Sequence, residues 1–134
     1  MRYWLIGLAA LAGAAAFVVP VALAGSPHQV GTCTTTQSGD TLSVTCKEAG
    51  LGDESQIEIS ASATALCING GGNHPKAVNK ESLSTTQKEP VQNGQATYTI
   101  TFKASFSPSC APPMTVQFTD VSVTDTTNNI SLKL

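Results

Sequence analysis

The sequence predicts an all-β fold, an immunoglobulin-like antiparallel two-sheet sandwich of six to eight strands carrying two disulfides. Three observations carry that prediction. Apolar residues alternate with period two in several stretches, clusters of Gly, Asn, Asp and Pro separate those stretches, and four cysteines stand in a chain of 134 residues. Serine and threonine are abundant throughout, and helix formers are sparse after the first two dozen residues.

The opening segment, MRYWLIGLAALAGAAAFVVPVALAGS, reads as an export signal rather than as part of the domain. Arg2 supplies a positive start, an uncharged apolar run follows from Tyr3 to Leu23, and Ala22-Leu23-Ala24 presents the small-x-small pattern of a cleavage site. The run is long enough to act as a membrane anchor, but Pro20 near its end favours cleavage after Ala24. The expected organisation is a signal peptide, 1–24, and a single secreted domain, 25–134, with no membrane contact after cleavage. Without the leader the chain has no arginine and no tryptophan, and its six lysines face nine carboxylates for a net charge of −3. A domain of this length builds one modest core and is too short for two.

The first element is a hairpin, TCTTTQSGDTLSVTCK. Gly39-Asp40 forms a two-residue type II′ turn, since Gly tolerates the positive φ of its first position. Opposed residues then place Cys33 across from Cys46 at a non-hydrogen-bonded site, where Cα atoms approach to about 4.5 Å. Leu42 and Val44 share a face with Cys46, so the bridge points to the core. Cys67 is left to pair with Cys110, closing a longer loop that stabilises by roughly 3–4 kcal/mol.

EAGLGDES is a turn, and its acids Glu48, Asp53 and Glu54 read as solvated surface. QIEISASATALCI is a strand with Ile57, Ile59, Ala61, Ala63, Ala65 and Cys67 on one face. The small alanines need bulk over them, and QATYTITFKASF supplies it through Tyr98, Ile100, Phe102, Ala104 and Phe106, alternating with polar residues. Residues 92–94, QNG, turn the chain before that strand. SPSCAPP breaks the pattern, because prolines do not donate to a ladder. In MTVQFTDVSVTD the apolar phase slips, from Met114, Val116 and Phe118 to Val121 and Val123, which predicts a bulge or bend near Thr119-Asp120. TNN makes the last turn, and ISLKL ends the chain as a strand.

The spacing Cys67-x-Asn69-x-Gly71-Gly72-Asn73-x-Pro75, with Asn79, a Cys110 followed by prolines and an Asp120-Val121 strand, resembles small secreted proteins of actinobacteria and related bacteria. The resemblance covers residues 67 to about 125, and the segment after Cys110 lacks the Asn and Trp found in such sequences. It implies export and disulfide bonding, and no activity.

The stretch CINGGGNHPKAVN, residues 67–79, is the candidate for a surface-contact loop, formed by Asn69, Gly70, Gly71, Gly72, Asn73, His74, Lys76 and Lys80. A glycine-rich loop can cradle an anion, but a phosphate loop needs a following helix and a GK[ST] ending that are missing here. His74 alone with amide side chains makes a poor metal site, and no carboxylates converge for calcium. There is no G-x-S-x-G elbow, and the cysteines are committed to disulfides. The loop therefore reads as a flexible passage, by Gly and Asn, from one sheet into the other, stapled by Cys67–Cys110.

These readings point away from an enzyme and away from any metal or cofactor. Nucleic acid is disfavoured by negative charge, the absence of arginine and the lack of an aromatic platform. Sugar stacking is disfavoured because all four aromatics of the mature chain read as core-facing. The expectation is a monomeric exported binding or accessory domain contacting a protein or a cell-wall component through its loops. The alternative is a structural or adhesive subunit that assembles through exposed strand edges.

Overall fold

The computed structural model describes residues 26–69 and 79–134; the predicted signal peptide, 1–24, lies outside the described residues. Among these residues there is no helix. Eight strands follow in order: β1 (His28–Gln29), β2 (Thr34–Ser38), β3 (Thr41–Ala49), β4 (Gln56–Ile68), β5 (Lys80–Pro90), β6 (Ala96–Lys103), β7 (Thr115–Asp125) and β8 (Ile130–Lys133). All pairings are antiparallel. In the first sheet β3 is central, β6 lies along one edge, and β1 and β2 lie in line along the other. The second sheet runs β5-β4-β7-β8. The protein is thus a two-sheet antiparallel sandwich.

Period-two alternation places the core between the sheets. Val44, Ile59, Ile100 and Val123 are fully buried, one from each of β3, β4, β6 and β7. Each contributes about 1.5–3 kcal/mol by leaving water. Ala61 and Ala63 of β4 belong to the same cluster as Tyr98 and Phe102 of β6, as the need for bulk over small residues predicts.

The first hairpin forms as its turn chemistry dictates. Ser38 pairs with Thr41 and Thr34 with Thr45, while Gly39 takes φ +57°. The next opposed pair, Cys33 and Cys46, is bonded with Cα atoms 4.4 Å apart. The second disulfide joins Cys67 to Cys110.

The phase slip in β7 is a bulge. Ser62 pairs with Ser122 but Thr64 pairs with Thr119, so Ala63 alone opposes Asp120 and Val121. Asp120 absorbs the extra residue at φ +51°, a left-handed conformation that Asp reaches more readily than most residues. The bulge keeps Val116 and Phe118 inward before it and turns Val121, Val123 and Asp125 inward after it.

Three findings differ from the sequence reading. The segment 80–90 is a full edge strand, β5, although its inward positions carry only one apolar residue, Leu83. The loop after Cys67 does not cross between sheets: β4 and β5 are neighbours in one sheet, paired from Gln56↔Pro90 to Leu66↔Lys80. The crossings lie at residues 50–55, 91–95 and 104–114 instead, and the Cys67–Cys110 bond ties the last of these to the end of β4. Glu48 is not part of a solvated turn; it is an inward residue of β3 and is 0% exposed.

Candidate functional site

The register puts distinct sets of connections at the two ends of the sandwich. At one end lie the β2–β3 turn, the β4–β5 loop and the 104–114 crossing. At the other lie the 50–55 and 91–95 crossings and the β7–β8 turn.

The first end carries the candidate contact surface. Asn69 is exposed just past β4, and Lys80 is exposed at the first position of β5, so the two mark the stems of the loop. Gly70, Gly71, Gly72, Asn73, His74 and Lys76 lie outside the described residues. Beneath the stems the chain is held firmly. Ala104 N–H donates to the Asp40 carbonyl at 2.8 Å, and Ser105 N–H donates to Glu81 Oε2 at 2.7 Å. The Gln37 amide donates to the Gly39 carbonyl at 3.0 Å and to the Val116 carbonyl at 2.7 Å, tying β2 to β7. The sulfur of Met114 rests 3.7 Å from the Cys67 sulfur, a van der Waals contact because the disulfide has no S–H to donate.

These ties leave an open groove of about 620 Å³ lined by Gln37, Asp40, Cys110, Pro112, Met114 and Val116, among others. A smaller cleft of about 190 Å³ shares Asp40, Cys110 and Val116 with it and adds Lys103, Ser105 and Phe106. Phe106 is half-buried and lines this cleft; it is less fully a core residue than its alternation with Tyr98 and Phe102 predicts. Apolar walls beside a few polar groups suit a binding contact. Among the described residues no three His, Cys, Asp or Glu side chains are placed to hold a metal ion.

The opposite end holds a feature that the sequence reading missed. Glu48 of β3 and Asp125 of β7 face one another between the sheets, and both are 0% exposed. Tyr98 Oη donates to Glu48 Oε1 at 3.0 Å, and Glu48 Oε2 is buried with no donor to accept from. Asp125 is well supplied: Oδ1 accepts from the Thr127 and Asn128 N–H groups at 2.8 and 3.1 Å, and Oδ2 from Asn128 Nδ2 at 2.7 Å. The same Asn128 amide reaches Glu54 Oε2 at 3.0 Å. Burial pushes the Glu48 carboxyl up from 4.5 to about 7, and the nearby Asp125 and Glu54 carboxylates add to the rise while the Tyr98 hydrogen bond opposes it. Burial, with the charge of Glu48 beside it, also holds the Tyr98 hydroxyl well above the usual phenol range, so it stays a donor.

A signal for this pair was present in the sequence. The inward phase of Leu42, Val44 and Cys46 continues to Glu48, and that of Val121 and Val123 continues to Asp125. Reading the period only through apolar residues stops one step short on each strand.

Compared with protein-family models, with curated proteins and with solved structures, the chain finds no match.

Proposed function

We propose that the protein is an exported, non-enzymatic binding or accessory domain that contacts a protein or cell-wall component through the loops at its groove end. The observation that carries this reading is the convergence of three connections and two clefts on one end of a sandwich tied there by the Cys67–Cys110 bond. Loops on a rigid scaffold are where binding residues concentrate. Two disulfides belong to an oxidising compartment, which accords with the predicted signal segment. Release after Ala24, an immunoglobulin-like architecture and a bacterial source of the kind that the Cys67-to-Asp120 pattern resembles are parts of the same proposal.

The test is retention on isolated cell walls. The mature domain is incubated with wall material from a producing culture and sedimented, alongside the variants Asp40→Ala, Lys80→Ala and Gln92→Ala. Retention that falls with the first two and not with Gln92→Ala, which lies at the other end, supports the proposal. Retention that falls equally with all three, or no retention of the native domain on wall or on secreted protein, contradicts it.

A second reading, a structural or adhesive subunit, draws on the outer edge of the first sheet. Every residue of β2, Thr34 to Ser38, is exposed, and β2 pairs on one side only, with β3. Native mass distinguishes the two: a discrete monomer supports the binding domain, and high-mass assemblies support edge pairing.

A further inference from the structure

We propose that Glu48 and Asp125 share one proton across the interface between the sheets, making the end of the sandwich opposite the groove a proton-locked clasp that loosens when the proton is lost.

The geometry favours a proton between the two carboxyls. Two buried carboxyls face each other, and Glu48 Oε2 is an acceptor without a donor. An unpaired buried acceptor is expensive, and an unpaired buried charge more so. A proton on Oε2 converts that atom into a donor toward Asp125 and removes one of two like charges. The proton belongs on Glu48, which receives only the Tyr98 hydroxyl, while the Asp125 oxygens already accept from three N–H donors.

Among the described residues no cationic side chain faces the pair in place of the proton. The titratable groups facing Glu48 are Tyr98 of β6, Asp125 of β7 and Glu54 of the 50–55 crossing, with Glu89 of β5 beside Tyr98. The cross-strand neighbours are uncharged: Gln29 of β1 and Ala96 of β6 beside Glu48, Ile59 of β4 and Ile130 of β8 beside Asp125. Loss of the proton sets two buried negative charges against each other with Glu54 near them. The elements that yield are those the pair holds together, the 50–55 crossing and the β7–β8 turn, joined by Asn128 between Asp125 and Glu54.

The sign follows from the proton count. Glu48 binds its proton more tightly in the folded chain than in the unfolded chain, so stability falls as pH rises from 4.5 toward about 7 and levels off above it. Between pH 5 and pH 8 the unfolding equilibrium constant rises by roughly one to two orders of magnitude from this group alone, given a folded value of about 7.

The experiment is urea unfolding of the oxidised domain at pH 5, 6, 7 and 8 for the native chain, for Glu48→Gln, and for a His28→Gln/His74→Gln double variant. Glu48→Gln keeps the shape and supplies an N–H toward Asp125 at every pH. The expected result is a native midpoint that falls with pH, a Glu48→Gln midpoint that does not, and a histidine variant that behaves as the native chain does. A native midpoint flat with pH, or an equal fall in Glu48→Gln, overturns the proposal. Should Glu48→Gln fail to fold, carboxyl-carbon NMR of the native chain decides: titration of Glu48 near pH 7 supports the shared proton, and titration in the ordinary carboxylate range overturns it. Millimolar calcium added at pH 8 leaves the native midpoint unchanged; recovery of the pH 5 stability would overturn the proton in favour of a cation site.

Discussion

The two ends of this sandwich are closed by different chemistry. At the groove end a covalent bond, Cys67–Cys110, fastens the 104–114 crossing to β4; Ser105 N–H donates to Glu81 and the Gln37 amide donates to the Val116 carbonyl, tying that crossing and β7 to their neighbours. At the other end no covalent tie joins the sheets, and the buried Glu48–Asp125 pair stands where apolar side chains would be expected. The first closure is covalent and responds to redox poise; the second, as proposed above, responds to pH, with the Cys33–Cys46 bond on its flank because Cys46 precedes Glu48 on the inward face of β3 and pairs with Tyr98. On the proposals above, one core holds its groove end through a covalent bond while leaving its far end responsive to pH, since each closure acts on its own set of connections.

The largest way to break the comparison is to remove the covalent closure. Replacing Cys67 and Cys110 with alanine together opens a loop of sequence separation 43 and costs about 4 kcal/mol. Urea unfolding measures the same loss at pH 5 and at pH 8. The proton closure comes next. The native chain loses about 2–3 kcal/mol between pH 5 and pH 8 through Glu48, while Glu48→Gln loses none of it. Tyr98→Phe sharpens the account of that closure. It removes the one donor to Glu48 Oε1, costs about 1–3 kcal/mol for the acceptor left unpaired, and moves the Glu48 midpoint upward in carboxyl-carbon NMR. The smallest effect is at the corner between the sheets. Gln87 donates to the Thr99 carbonyl on the free edge of β6 at 3.0 Å, and Gln87→Ala costs about 0.5–1 kcal/mol with no change in its pH dependence.

Most of the fold could be read from alternation and turns, and the exceptions share a cause. The strands β3, β4, β6, β7 and β8 and the bulge at Asp120 follow from apolar period two and its one slip, and the two disulfide pairings follow from the register of the Gly39-Asp40 turn, which pairs Cys33 with Cys46 and leaves Cys67 for Cys110. Strand β5 escapes that reading because its inward row is Glu81, Leu83, Thr85, Gln87 and Glu89, half-buried and mostly polar. Those side chains satisfy backbone groups on and just past β6: Gln87 donates to the Thr99 carbonyl and Glu81 accepts from Ser105 N–H. Glu48 and Asp125 escaped for the same reason, as polar residues in apolar phase. The glycine-rich segment separates two strands, as its composition predicts, but those strands are neighbours in one sheet rather than partners across the sandwich. Nothing local in Asn-Gly-Gly-Gly-Asn distinguishes a hairpin from a crossover when the second strand carries no hydrophobic signal.

The account rests on the two closures being independent, and native-state amide exchange tests that most directly. The opening free energy of Thr127 and Asn128, whose N–H groups bond to Asp125, is compared at pH 5.5 and pH 7.5 with that of Ala104 and Ser105 beside the disulfide. For local openings, those whose free energy does not change with low urea, the predicted result is a fall at Thr127 and Asn128 with pH and no change at Ala104 and Ser105. An equal fall at both ends, or none at Thr127 and Asn128, would contradict the account.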